Sequence, residues 1–119
     1  MRIELKQAFR IVTFIPPDDA QKVVEAVMGA DPLRYGQYTQ VYWQSTPGTE
    51  HYRGDKDAVP AEGKPEEVVA LPSVRLEFSL SGSLEHVQDV LMALAAKHPC
   101  KEPVILVQPV LETRTYDKK

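Results

Sequence analysis

His98-Pro99-Cys100 is where the chain brings together the side chains with the most chemistry. Imidazole and thiolate are good ligands for soft or borderline metal ions. Lys101, next along, could favour the thiolate. Two ligands do not make a site, however, and the other histidines, His51 and His86, have no ligand spacing to this pair. The plainer role is a helix end, with His98 facing the helix dipole and Pro99 stopping the turn. A Cys-His nucleophile is weaker still, because no third residue to orient it and no oxyanion hole is indicated. The metal candidates are His98 and Cys100, and the sequence indicates no catalytic residue and no cofactor.

The segment Thr46 to Pro72 is the second place to look. It joins two neighbouring strands, a task that needs only a few residues, so its length asks for a reason. Gly48, His51, Arg53 and Lys56 could cradle an anion. Yet Glu50, Asp55, Asp57, Glu62, Glu66 and Glu67 outnumber Arg53, Lys56 and Lys64, and a net acidic segment repels polyphosphate. No phosphate-loop or dinucleotide fingerprint is present. The alternative is a surface loop that folds back on a neighbouring subunit. Trp43, Tyr42 and Tyr38 could stack on a ring, or pack across a subunit interface, where aromatics are enriched.

The elements that must position these residues follow from periodicity. Ala8 to Ile15 reads as a first strand, rich in β-branched and aromatic types. Pro16-Pro17 stops it. Ala20, Val23, Val24 and Val27 then fall at helical spacing behind an aspartate cap. A second strand is expected at about Tyr38 to Ser45. Val74, Leu76, Phe78 and Leu80 alternate with Arg75, Glu77 and Ser79, giving the clearest strand, with one covered and one wetter face. Ser83 caps a second helix whose apolar stripe is Leu84, Val87, Val90, Leu91 and Leu94. A last strand runs from about Pro103 to Leu111, at an edge because of Pro109. The order β-α-β-β-α-β predicts an α+β, ferredoxin-like fold: a four-stranded antiparallel sheet with two helices on one face. The other sheet face then lacks a cover, which points to a partner.

Composition bounds the rest. The 119 residues suit one domain, with an ordered core expected over about 8–112 and a flexible polar tail at 113–119. A net charge of −3 without a basic face argues against nucleic acid. The single cysteine forms no internal disulfide and fits a reducing compartment. Met1 to Lys6 carries charges where a signal peptide needs an apolar run, and no apolar run reaches membrane-spanning length. A cytoplasmic protein without membrane contact is expected.

Several of these stretches resemble one known family. The segments Arg10-Ile11-Val12-Thr13-Phe14-Ile15-Pro16, Gln44-Ser45-Thr46-Pro47-Gly48-Thr49, Tyr52-Arg53 and Val74-Arg75-Leu76-Glu77 come in its order. Gly36-x-Tyr38 and a closing His98-Pro99-x-x-Glu102-Pro103 complete the match. Together they are similar to the inserted domain of the Nif-three-like (YqfO-type) family over about Ala8 to Glu112. Cys100-Lys101 stands where that family usually has Tyr-Glu. The resemblance implies a fold like that of the PII signalling proteins and CutA, which are ferredoxin-like trimers. The family's flanking lobes, which hold a dinuclear metal site, have no counterpart here, so those ligands map to no residue of this chain.

The expectation is a free-standing homo-oligomeric module, trimer or dimer, that regulates or binds a small ligand or protein partner. A divalent-metal-binding protein resembling CutA is the alternative. The expected binding residues are Thr49, His51, Arg53, His98 and Glu102, with Glu102 the acid facing Arg53 and His51 as its cationic partners. The segments Thr46 to Tyr52 and His98 to Pro103 are expected to lie near each other.

Overall fold

A computed structural model describes residues 1–60 and 63–119; Glu62, counted above among the loop acids, lies outside them. The elements in order are β1 (Arg2–Ile15), α1 (Ala20–Ala30), β2 (Trp43–Gln44), β3 (Gly48–Arg53), β4 (Val68–Leu80), α2 (Leu84–Lys97) and β5 (Ile105–Tyr116), with a 3₁₀ turn at Pro17–Asp19. All pairings are antiparallel. The sheet order is β2-β4-β1-β5, and β3 also pairs with β4.

Alternation makes the core. Ile11 and Ile15 of β1 and Leu76, Phe78 and Leu80 of β4 point to one face. There they meet Val23, Val24 and Val27 of α1 and Val87, Val90 and Leu94 of α2. Both helices therefore cover the same face, and the opposite face carries no helix. Ser83 caps α2 by accepting from the His86 amide at 3.1 Å. Asp19 makes no such cap bond on α1; it pairs instead with Lys22 at 2.9 Å. Asp31, just past α1, receives His86 of α2 at 2.7 Å and so ties the two helices together.

The strand count differs from the expected four because one edge strand is broken. The register steps by one residue between Gln44↔Leu76 and Gly48↔Ser73. Thr46 and Pro47 together oppose Val74, which is a β-bulge. Pro47 has no amide hydrogen for the ladder, so the break falls where the sequence cannot pair. The strand expected at Tyr38–Ser45 shrinks to Trp43–Gln44 for a different reason. Gln40 is left-handed (φ 60°), and the amides of Gln40 and Val41 donate to Pro32 and Leu33 instead of to the sheet.

Two two-stranded arms leave the sheet at opposite ends. Beyond Ile15↔Val74, β4 continues alone with β3; beyond Phe9↔Leu80, β1 continues alone with β5. The molecule is accordingly elongated, 56 × 30 × 22 Å. Much of the expected loop Thr46–Pro72 is thus the β3–β4 arm, whose strands are Gly48–Arg53 and Val68–Leu80. Residues 113–116, expected in a frayed tail, belong to β5, where Tyr116 pairs with Arg2 and lies under its guanidinium at 4.4 Å. β5 is an edge strand, and Pro109 sits within it opposite Phe9.

Candidate functional site

The bulge shapes the most functional-looking part of the surface. At Ser45 the amide donates to the Arg75 carbonyl at 2.9 Å, while the Arg75 amide donates to Ser45 Oγ at 2.7 Å. The hydroxyl thus takes the place of a strand carbonyl, and the backbone turns away at Thr46-Pro47. Between this turn and the ends of β1 and β5 opens a cavity of about 450 Å³. Phe14 and Val104 supply apolar lining; Thr49, Glu50, Ser73 and Arg75 supply polar groups.

Charge around it is unevenly satisfied. Glu77 on the open sheet face receives Arg10 Nε on Oε2 at 2.7 Å and Arg75 Nε on Oε1 at 3.0 Å. The Arg10 hydrogen bond, more than any other contact, holds the Glu77 carboxyl below the ordinary carboxylate range; burial opposes it, and the Arg75 charge adds to it. Two guanidinium groups share one carboxylate, which leaves one positive charge in surplus. Glu50 is the converse. The buried Ser73 hydroxyl donates to its Oε1 at 2.8 Å, and no cation pairs with it among the described residues.

A second cavity, of about 680 Å³, lies under the β3–β4 arm. Asp18 and Asp19 of the 3₁₀ turn, Glu50, Glu67 and Cys100 line it. Burial pushes the Cys100 thiol up, and the negative charges of Glu50 and Asp19 push it further. Lys101 could have favoured the thiolate, but the shift runs the other way.

The two segments expected to meet do so within one chain. Glu50 and Tyr52 share the second cavity with Pro99 and Cys100. Buried His98 donates from Nε2 to the Phe14 carbonyl at 2.8 Å, and its Nδ1 accepts from the Cys100 amide at 3.1 Å. Both ring nitrogens are therefore used by the protein. Thr49 lines the first cavity. Thr49, His51 and Arg53 share one face of the arm by alternation. Arg53 Nε donates to the Glu66 carbonyl at 2.9 Å. No ion pair joins exposed Glu102 to Arg53 or His51. Among the described residues no three His, Cys, Asp or Glu side chains gather as they would to hold a metal, and no helix is long and apolar enough to cross a membrane.

With this geometry in hand, known proteins can be compared. No protein-family model matches the sequence, and no curated protein matches it. Solved structures do. A Bacillus cereus protein related to NIF3 superposes with a TM-score of 0.69 at 20% identity, over 92% of this chain and 29% of its own. The fold is that of CutA and of part of a NIF3-related protein. The divalent cation tolerance protein CutA1 of Thermus thermophilus gives a TM-score of 0.60 at 16% identity, over 88% of this chain and 84% of its own. CutA of Xylella fastidiosa gives 0.61 at 15% identity, over 87% and 83%. At these identities the likeness establishes the α+β fold with two helices on an antiparallel sheet. The chain spans less than a third of the NIF3-related protein it matches.

Sequence reasoning passed over Glu50, Arg75 and Glu77. The alternation of β4 already placed Arg75 and Glu77 together on the wetter face. Glu50 carried no signal of its own, being one acid among six in an expected loop.

Proposed function

We propose that this chain is a non-catalytic binding module that works as a homo-oligomer, a trimer or a dimer, in the cytoplasm. In this reading it is a counterpart of the part of the NIF3-related protein on which it superposes. One observation carries the proposal: the helix-free sheet face presents Trp43 and Leu106, each about half exposed (53% and 50%), beside the Arg10–Glu77 ion pair. Large apolar side chains left exposed on an uncovered sheet face mark a contact site, and a tryptophan next to arginines is the composition interfaces favour. The partner is a second copy of the same face, because closed homo-oligomers are the commonest way to bury such a patch. Light scattering at micromolar concentration should return a mass of two or three chains. A mass of one chain would remove the proposal.

A divalent-cation-binding role is the second reading, favoured by the acidic lining of the cavity beneath the β3–β4 arm. It is the weaker, because a metal held by His98 must displace the Phe14 carbonyl or the Cys100 amide, and because Cys100 is biased to its protonated form. Metal analysis of untagged protein distinguishes it: stoichiometric metal lost on C100S supports it, and metal-free protein opposes it.

A further inference from the structure

The cavity at the bulge has the size, lining and charge pattern of a small-molecule site. About 450 Å³ lies within the roughly 300–1,000 Å³ of ligand pockets. Phe14 and Val104 offer apolar surface on which a hydrocarbon group can rest. Glu50 offers a carboxylate that Ser73 orients at 2.8 Å and that no cation among the described residues pairs with. Arg75, on the same cavity, belongs to a group of two guanidinium ions and one carboxylate and so carries surplus positive charge. Glu50 and Arg75 line one cavity without pairing with each other. Opposite charges held apart over an apolar floor complement a molecule that carries both charges and an apolar group.

We propose that this cavity binds a free α-amino acid with an apolar side chain. Its ammonium group pairs with Glu50, its carboxylate with Arg75, and its side chain packs on Phe14 and Val104. Other classes leave one element unmatched. A nucleotide or other polyanion meets the Glu50 charge. A simple amine leaves the surplus guanidinium charge unanswered and is repelled by it. A hydrocarbon buries Glu50 without a partner, at the cost of desolvating a charge. The bulge agrees with this use, since bulges commonly re-aim side chains beside binding sites. The assignment goes beyond the assembly reading and does not require it, as every group named belongs to one chain.

Calorimetric titration of the wild-type protein with L-leucine and L-phenylalanine tests it, with the oligomer mass measured on the same sample. Saturable binding is expected with a dissociation constant at or below about 1 mM. Isoamylamine, which lacks the carboxylate, and 4-methylpentanoate, which lacks the ammonium, should each bind roughly tenfold more weakly or worse, the usual effect of losing a charged hydrogen bond. E50Q should weaken leucine by a similar factor. The analogue series needs no variant to fold, so the test stands even if E50Q is unstable. No saturable binding of either amino acid up to about 10 mM would overturn the assignment. So would equal binding of leucine and its two analogues, or unchanged leucine affinity in a folded E50Q. The scattering mass reports on the assembly separately.

Discussion

His98 Nε2 lies 2.8 Å from the carbonyl oxygen of Phe14, so a helix-ending residue is fastened to the last turn of the first strand. The Cys100 amide donates to the other ring nitrogen at 3.1 Å. A neutral ring with Nδ1 accepting must carry its hydrogen on Nε2, which then donates to Phe14. Nearby, Thr13 Oγ1 donates to the Val104 carbonyl at 2.8 Å. These bonds set the path from α2 into β5 and hence one wall of the bulge cavity. H98A removes two bonds and a buried ring, and should cost about 2–3 kcal/mol. Urea unfolding should show a lower midpoint with an unchanged slope. A loss under about 0.5 kcal/mol, the range of an unimportant surface change, would mean that this tie does not hold the turn.

The acid limb of the stability curve should carry the mark of Glu77. Its folded-state pKa lies below the ordinary 4.5. The folded protein therefore favours the carboxylate. The resulting stabilisation is complete above about 4.5 and fades as pH falls through the lower folded value, because the unfolded chain then binds the proton more readily. E77Q removes this contribution and leaves Arg10 and Arg75 without their shared carboxylate. It should cost about 1–2 kcal/mol at neutral pH and flatten the pH dependence below 4.5. Urea midpoints across pH 3 to 7 (a range of roughly the carboxylate titration and above) check it. An E77Q curve parallel to that of wild type throughout would show that Glu77 is not the titrating group.

Sequence patterning revealed the core and concealed the arms, for physical reasons. Val74 to Leu80 alternate because one face packs on helices, and the α2 stripe repeats at helical spacing for the same reason. The arms have no such asymmetry. Ile3 and Leu5 are exposed, as is Leu111 of the paired strand, so burial does not impose a pattern there. Pro72 looked like the end of a loop; it lies inside β4 just past the last residue paired with β1, where its missing amide costs that ladder nothing. The site was legible only in pieces. Arg75 and Glu77 could be placed on one face, but their tie to Arg10 depends on the β1–β4 pairing of Val12 with Glu77. Glu50 gained its meaning from Ser73, and that contact exists only because the bulge shifts the register by one residue.

Cys100 should be a sluggish thiol. Burial first, then the charges of Glu50 and Asp19, push its pKa above the ordinary value. The thiolate is the reactive form, so a chromogenic disulfide reagent at pH 8 (about the ordinary thiol range) should react more slowly with folded protein than with urea-unfolded protein. E50Q should speed the folded reaction, whereas C100S should fold and assemble as wild type does. A folded rate equal to the unfolded one would contradict this placement.

Trp43 is the one tryptophan of the chain, which makes it a reporter of the proposed assembly face. It pairs across the sheet with Glu77, so its indole stands on the face opposite the helices, 53% exposed in the single chain. If that face packs on another copy, the ring passes from water into an apolar contact as concentration rises. Its emission should shift to shorter wavelength on association and return to that of a hydrated indole on dilution. W43E places a charge on the β2 edge of this face without touching the core. It should give a folded monomer, with unchanged far-ultraviolet dichroism and the scattering mass of one chain. W43A, which only truncates, should weaken association by about 2 kcal/mol or more, the scale of an interface anchor. An emission maximum independent of concentration, together with an oligomer that survives W43E, would move the interface to the arms.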